Sequence, residues 1–443
     1  MKPGKNGSQL GFHHRPDGIW CDNVHLDSLA KKTGTPCYVY SRSIIDRQLM
    51  RFASAFKGLD VLPCYAAKAN NNPEILRHIA GHTELSWGID AVSVGELHLG
   101  LAAGFRADQM IFSGVGKQHS EIDLAVERGI VINVESLFEL DDIIEIARSR
   151  GKLAKLGLRV NPNIDAHTHP KISTGLKKNK FGLSREMFDV ALRRITEAPE
   201  TLQLAGISTH IGSQITDVSP WKAAALQLVQ LADAIHAKGG AALEFIDFGG
   251  GFPVRYDGDN EPPGVEIFSG IIRDSMAGAA RPETKRLRIV VEPGRWLVAE
   301  SGGLLTRVIG VKERFVVVDA SMTELIRPAL YGARHEIIFA CNPTLPAVPS
   351  NGEGEGFEIV GPVCESSDVL ASNIRIKHVP KKNQLAVLMQ AGAYGYSMAS
   401  NYNQRPLPAE HLIADDKVFT IRKKQLLLAP DPDLFDEPLD LPL

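Results

Sequence analysis

The chain has 443 residues, 44% of them hydrophobic and 23% charged, which suits two domains with buried cores and excludes a wholly disordered protein. Its formal net charge of -3 comes without a concentrated Lys/Arg block, so no nucleic-acid or anionic-membrane surface is expected and small molecules are the expected partners. No apolar run approaches the roughly 18 residues needed to cross a bilayer, and five cysteines in no paired or metal-like spacing follow a polar start, Met1 to Gln9; a reduced, cytoplasmic protein without a metal site is expected.

Residues 1–36 hold two short β-prone runs, Gly18 to Cys21 and Val24 to Leu26, and are expected to join a β domain formed further on. From 37 to 292, β-branched runs alternate with amphipathic stretches, a rhythm that calls for parallel strands joined by crossovers. Eight strands are predicted: Val61 to Tyr65, Ile89 to Val92, Met110 to Phe112, Ile130 to Val134, Lys155 to Val160, Gly206 to His210, Glu244 to Phe248 and Arg288 to Val291. Helical spacing falls at Pro73 to Ala80, Gly95 to Ala103, Ser136 to Arg150, Ser184 to Thr196 and Pro220 to Ala237. Eight such units match an α/β fold, the closed (β/α)8 barrel of about 250 residues, better than an open doubly wound sheet. Residues 293–430 read as strands without helices between them, at Leu304 to Val311, Arg314 to Asp319, Phe357 to Val363, Leu385 to Ala391 and Lys417 to Arg422. They predict a C-terminal antiparallel β domain. Residues 431–443, rich in Pro and Asp, are expected to form a loosely ordered tail.

A barrel enzyme builds its site from loops at the C-terminal ends of its strands, and the unusual residues keep that register. Lys68 follows the first strand, Ser93 to Glu96 the second, Ser113-Gly114 the third and Glu135 the fourth. Arg159 to Pro162 closes the fifth, His210 to Gln214 the sixth, Gly249-Gly250-Gly251 the seventh, and Glu292-Pro293-Gly294-Arg295 the eighth. At the mouth of a dry pocket, Lys68 is expected to lose its proton more easily than in water and to act as a nucleophile. The three glycines let backbone N–H groups approach a phosphate, and equally suit a tight structural turn. No Walker A loop or G-x-G-x-x-G turn is present, which disfavours nucleotides.

Taken singly, Lys68 fits a lysine snorkelling from a strand end, His210 a strand-end histidine, Glu292 a surface carboxylate, Cys364 a buried small hydrophobe and Tyr394 a core tyrosine. Together with Lys68 and the glycines, His210 and Glu292 describe a pocket for pyridoxal 5'-phosphate. Lys68 would hold the aldehyde as an imine, His210 would stack on the ring, and Glu292 would keep the pyridine nitrogen protonated. A protonated ring is the stronger electron sink and suits decarboxylation better than racemisation.

Longer motifs carry a resemblance: YAAKAN around Lys68, LRVNP at 158–162, HPKISTGLKKNKFG at 169–182, HIGSQ at 210–214 and EPGR at 292–295. They continue with LIRPALY at 325–331, GPVCES at 361–366 and GAYGYSMASNYNQRP at 392–406. From about Tyr38 to Arg422 the chain resembles the fold-type III, alanine-racemase-like pyridoxal phosphate decarboxylases. The resemblance implies Lys68 and His210 in their cofactor roles, with Ser213, Gly249 to Gly251, the backbone of Glu292 to Arg295, and Tyr394 around the cofactor. It implies Cys364 as the acid that reprotonates the carbanion, reaching the pocket from the partner subunit of a homodimer. It also implies Arg295, Arg327 and Tyr331 as a carboxylate grip, Tyr394 beside the substrate, and Glu365 as partner of a distal ammonium. A paired arginine and glutamate suits the second amino-carboxylate of meso-diaminopimelate, decarboxylated at one centre to give L-lysine, better than ornithine or lysine. A related decarboxylase of ornithine, lysine or a secondary-metabolite amino acid is the nearest alternative. A non-catalytic cofactor-binding regulator is the other, and the presence of both Lys68 and Cys364 speaks against it.

Overall fold

Eight parallel strands close into a barrel: Val61–Ala66, Gly88–Ala91, Met110–Phe112, Val131–Val134, Ala154–Arg159, Leu202–Ser208, Phe245–Asp247 and Arg288–Val291. Pairing of the last with the first, Ile289 opposite Val61 and Val291 opposite Pro63, completes the ring. The computed structural model describes residues 10–166, 174–175, 179–239, 242–340, 356–376 and 378–426. The tail 431–443 and most of the 169–182 motif lie outside the described residues.

Helices cover the outer face, so the strands are buried on both sides and read as continuous apolar runs. Ser93, Ser136 and Ser184 start three of the crossover helices, Val94–Ala103, Leu137–Arg150 and Arg185–Thr196. Their hydroxyls accept the backbone N–H of Glu96, Glu139 and Met187 at 3.3, 3.2 and 3.2 Å, the bond an N-cap supplies to an otherwise orphaned donor. The helix Val265–Ala277 does not stand out in the sequence. Its buried stripe, Val265, Phe268, Ile272 and Met276, is obscured by Ile267, which is exposed, and by Gly270 in mid-helix.

The N-terminal half of the barrel interior is filled by Leu62, Ile111, Val131, Phe245 and Val290. Gly206 makes room for the Phe245 ring: a Cβ there would lie 2.3 Å from its Cε2 atom. With that end plugged, open space remains at the C-terminal ends of the strands.

One expectation needs correction. The barrel begins at Val61 rather than at residue 37, because Cys37–Ser41 is an inner strand of the second sheet. It lies antiparallel to Gly302–Lys312 and parallel to Ala409–Ala414. The chain therefore starts in the β domain, leaves to build the barrel, and returns. The nine-stranded second sheet is mostly antiparallel, as expected, and Phe315–Val318 beside Phe357–Val360 is its other parallel pairing. The N-terminal strands Phe12–Arg15, Gly18–Cys21 and Val24–His25 form a small sheet of their own. Its Ile19 and Cys21 share a core with Val39, Leu305 and Val387 of the larger sheet. Among the described residues no helix is long and apolar enough to cross a membrane.

Candidate active site

A cavity of about 340 Å³ opens at the C-terminal mouth of the barrel, under the β domain. Lys68, His210, Ser213, Gly251, Glu292 and Gly294 line it from the barrel side, and Arg295, Arg327, Tyr331 and Tyr394 form a further part of the wall. Ten of the residues singled out from the sequence thus meet in one space. Gly249 and Gly250 stand behind it: a Cβ on Gly249 would lie 2.9 Å from His210 Nδ1, and one on Gly250 would lie 2.4 Å from the Glu292 carbonyl oxygen. These two glycines let the seventh loop pack against its neighbours, and Gly251, at φ +102°, is the one that faces the cavity. The Pro293 carbonyl accepts the Ala66 N–H at 3.0 Å, tying the eighth strand end to the first. Tyr394 is held at φ +55°, an uncommon conformation for a bulky residue, by its N–H to the Ala69 carbonyl at 2.7 Å.

Lys68 Nζ lies 2.6 Å from Asp90 Oδ2, and the Asp90 side chain is fully buried. Burial alone pushes the ammonium down, but the Asp90 carboxylate outweighs it and holds Lys68 above its ordinary range. The expectation of an amine ready to deprotonate is therefore wrong for this form of the site. The sequence places an apolar strand before Lys68, whereas the buried carboxylate comes from the next strand.

His210 Nδ1 accepts the Gly250 N–H at 3.0 Å, which places the ring proton on Nε2 in the neutral form. Burial, with Arg159 and Lys68 adding positive charge, keeps the imidazole pKa well below its usual value. Its 3.6 Å separation from Glu292 Oε2 is consequently no ion pair. Burial raises Glu292 far above the usual carboxylate range, and Asp247 and Asp90 add to the effect. Asp247 itself is pushed up to about 6, also chiefly by burial. Its Oδ1 accepts the Gly249 N–H at 2.8 Å, and a hydrogen bond with the Glu292 side chain offsets part of the rise. Two adjacent buried carboxyls resist double ionisation, so Glu292 carries a proton. Asp90 and Asp247 were both missed in the sequence, where each is one polar residue inside a strand.

Arg295 and Arg327 are both buried, and neither has a carboxylate partner among the described residues. Arg295 donates to Tyr256 Oη at 3.0 Å and to Ser213 Oγ at 3.1 Å, with its guanidinium carbon 4.7 Å from the centre of the Tyr394 ring. Arg327 lies 4.6 Å from the centre of the Tyr256 ring. Burial would raise the Tyr256 phenol, yet Arg295 and Arg327 together pull it below its ordinary value. Two uncompensated cations facing one cavity create a strong demand for anionic ligands. Tyr256, in the loop after the triple glycine, carries no motif that marks it.

Cys364 and Glu365 are exposed, so the sequence-based picture of Cys364 as a buried hydrophobe does not hold. Other strand-end residues serve the scaffold. Glu96 accepts the Val92 N–H at 2.9 Å as part of a helix cap, and Ser113 accepts Asn133 Nδ2 at 3.2 Å. Glu135 pairs with Arg159 at 3.0 Å.

A lysine amine, a protonated carboxyl, a neutral imidazole and two unpaired guanidiniums at a barrel mouth define the site of a pyridoxal-phosphate enzyme. The Ser213 hydroxyl, the Cβ-free Gly251 and Gly294, and the uncompensated positive charge fit its phosphate and carboxylate groups. Residues 42–299 match the family described as pyridoxal-dependent decarboxylase, pyridoxal binding domain. A diaminopimelate decarboxylase of Zymomonas mobilis is 41% identical over 92% of this chain and 95% of its own. The crystal structure of diaminopimelate decarboxylase from Helicobacter pylori complexed with L-lysine is 38% identical. It covers 91% of this chain and 97% of its own, with a TM-score of 0.81. That of the M. jannaschii enzyme in co-complex with L-lysine is 34% identical, covering 94% and 96%, with a TM-score of 0.83. The chain belongs to the pyridoxal-dependent decarboxylases and, among them, to the diaminopimelate decarboxylase family.

Proposed function

We infer that the protein converts meso-2,6-diaminopimelate to L-lysine and carbon dioxide, using pyridoxal 5'-phosphate. The observation that carries this reading is the pair of buried arginines without carboxylate counter-ions in the cavity that also holds Lys68. A substrate that keeps a second amino-carboxylate while losing the first gives that charge a partner. Ornithine or lysine would bring an ammonium towards Arg327.

Bound pyridoxal phosphate supplies the electron sink that accepts the pair of electrons left by the departing carboxylate. The chain's own residues set the conditions. Lys68 would tether the cofactor aldehyde through its amine, once freed from the Asp90 ion pair. Glu292 holds a proton for the ring nitrogen, and neutral His210 offers a flat face to the ring. Arg327, Tyr331 and Arg295 hold the carboxylate that stays. Cys364 and Glu365, exposed on their own protomer, are assigned to the partner's cavity in a homodimer, Cys364 to return a proton and Glu365 to pair with the distal ammonium. Cys21, Cys37, Cys64 and Cys364 are all unbridged, which supports a reducing, cytoplasmic setting.

Carbon dioxide release from meso-diaminopimelate, L-lysine and L-ornithine tests the assignment. Turnover of diaminopimelate far above the other two is expected, and a preference for either monoacid defeats it.

A further inference from the structure

Behind Arg327, away from the cavity, sits a histidine that no step of the reaction uses. His335 is 1% exposed, and its Nδ1 lies 2.8 Å from the Met389 carbonyl oxygen. A carbonyl can only accept, so Nδ1 carries the proton and Nε2 is a bare lone pair. That lone pair lies 2.9 Å from Arg327 Nη1. The ring also meets Tyr256 edge to face, with centroids 5.3 Å apart. Both backbones that hold it are fixed, since Ile337–Phe339 pairs with Leu385–Leu388 and the Met389 N–H donates to the Glu336 carbonyl at 2.8 Å.

We propose that His335 is a positioning residue for substrate selection: a neutral acceptor that aims the Arg327 guanidinium into the cavity while leaving its charge free for the substrate's distal carboxylate. A carboxylate in that place would aim the arginine equally well but would neutralise it. An apolar residue would leave it unaimed. Burial keeps the imidazole neutral, with Arg327 adding to the effect, and pushes its pKa down to about 3. Histidine therefore supplies acceptance without charge at any working pH. This role rests on the reading of Arg327 as a carboxylate grip.

The near-isosteric pair His335→Gln and His335→Glu separates the role from packing, because the two differ chiefly in charge. The readout is binding of L-lysine, which retains the distal amino-carboxylate, followed through the visible band of the holoenzyme. Cadaverine, which has no carboxylate, is the control. H335Q should bind L-lysine within about threefold of wild type. H335E should weaken it on the order of 10- to 100-fold, the equivalent of one lost charge-assisted bond, without weakening cadaverine. The KM for meso-diaminopimelate should rise in parallel. Equal L-lysine affinity in H335Q and H335E overturns the proposal, as does an equal loss for cadaverine. If H335E does not fold, H335A should weaken L-lysine while H335Q restores it, and wild-type affinity in H335A overturns the proposal. Wild-type enzyme that decarboxylates a monoacid in preference to diaminopimelate instead refutes the substrate assignment on which the role depends.

Discussion

Asp90 reaches across from the second barrel strand to Lys68 at the end of the first, with 2.6 Å between Oδ2 and Nζ and no solvent on the carboxylate. The pair makes the resting site a stored ion pair, so cofactor uptake must compete with it. In Asp90→Asn the counter-charge is gone and burial dominates, which lowers the pH at which the amine is free. Uptake of pyridoxal phosphate by the apo-protein should reach its half-maximal rate at lower pH than in wild type. An unchanged profile would show that Asp90 does not control the proton on Lys68.

Asp247 is expected to govern the proton on Glu292. Replacing it with Asn removes a negative neighbour, so the Glu292 carboxyl should titrate closer to an ordinary carboxylate. The protonated-carboxyl stretch in infrared spectra of the apo-protein follows this directly. Glu292→Gln, in which that band disappears, identifies the signal and should lower kcat on the order of 10²-fold with cofactor still bound.

The proposed sharing of the site between two protomers predicts complementation. Lys68→Ala and Cys364→Ala should each be nearly inactive alone, the second with normal cofactor binding. Mixing and refolding them should restore up to about a quarter of wild-type activity, since half of the dimers are mixed and each has one intact site. No recovery, or an active Cys364→Ala enzyme, removes the partner-supplied acid.

His335 also leaves a mark on stability. The unfolded chain takes up the imidazole proton near pH 6.5, and the folded chain does not until about pH 3. Between these values the unfolded state binds more protons, so stability falls as pH falls. Going from pH 7.5 to pH 5 should cost wild type about 2 kcal/mol more than H335Q in denaturant unfolding. Parallel pH dependence in the two proteins would contradict the buried neutral ring.

Gly206→Ala tests the barrel plug. Its new methyl would meet the Phe245 ring, and overpacking of this kind costs about 1–3 kcal/mol. A lowered melting temperature with an unaltered KM is expected, because the plug lies at the opposite end from the cavity.

The sequence by itself determined the eight-strand rhythm, the second domain, and the ring of strand-end residues from Lys68 to Arg295, because periodicity and loop chemistry are local properties. Motif likeness supplied Cys364, Arg327 and Tyr394 as well. Only the tertiary structure decided that Cys37–Ser41 belongs to the second sheet, since a strand buried on both faces gives no sign of its partners. It likewise supplied Asp90, Asp247, Tyr256 and His335. Each is a single polar residue whose meaning lies in what burial does to its proton and to a charge brought near from a distant part of the chain. Proton positions are set by desolvation and by neighbours through space, and neither is written in the order of the residues.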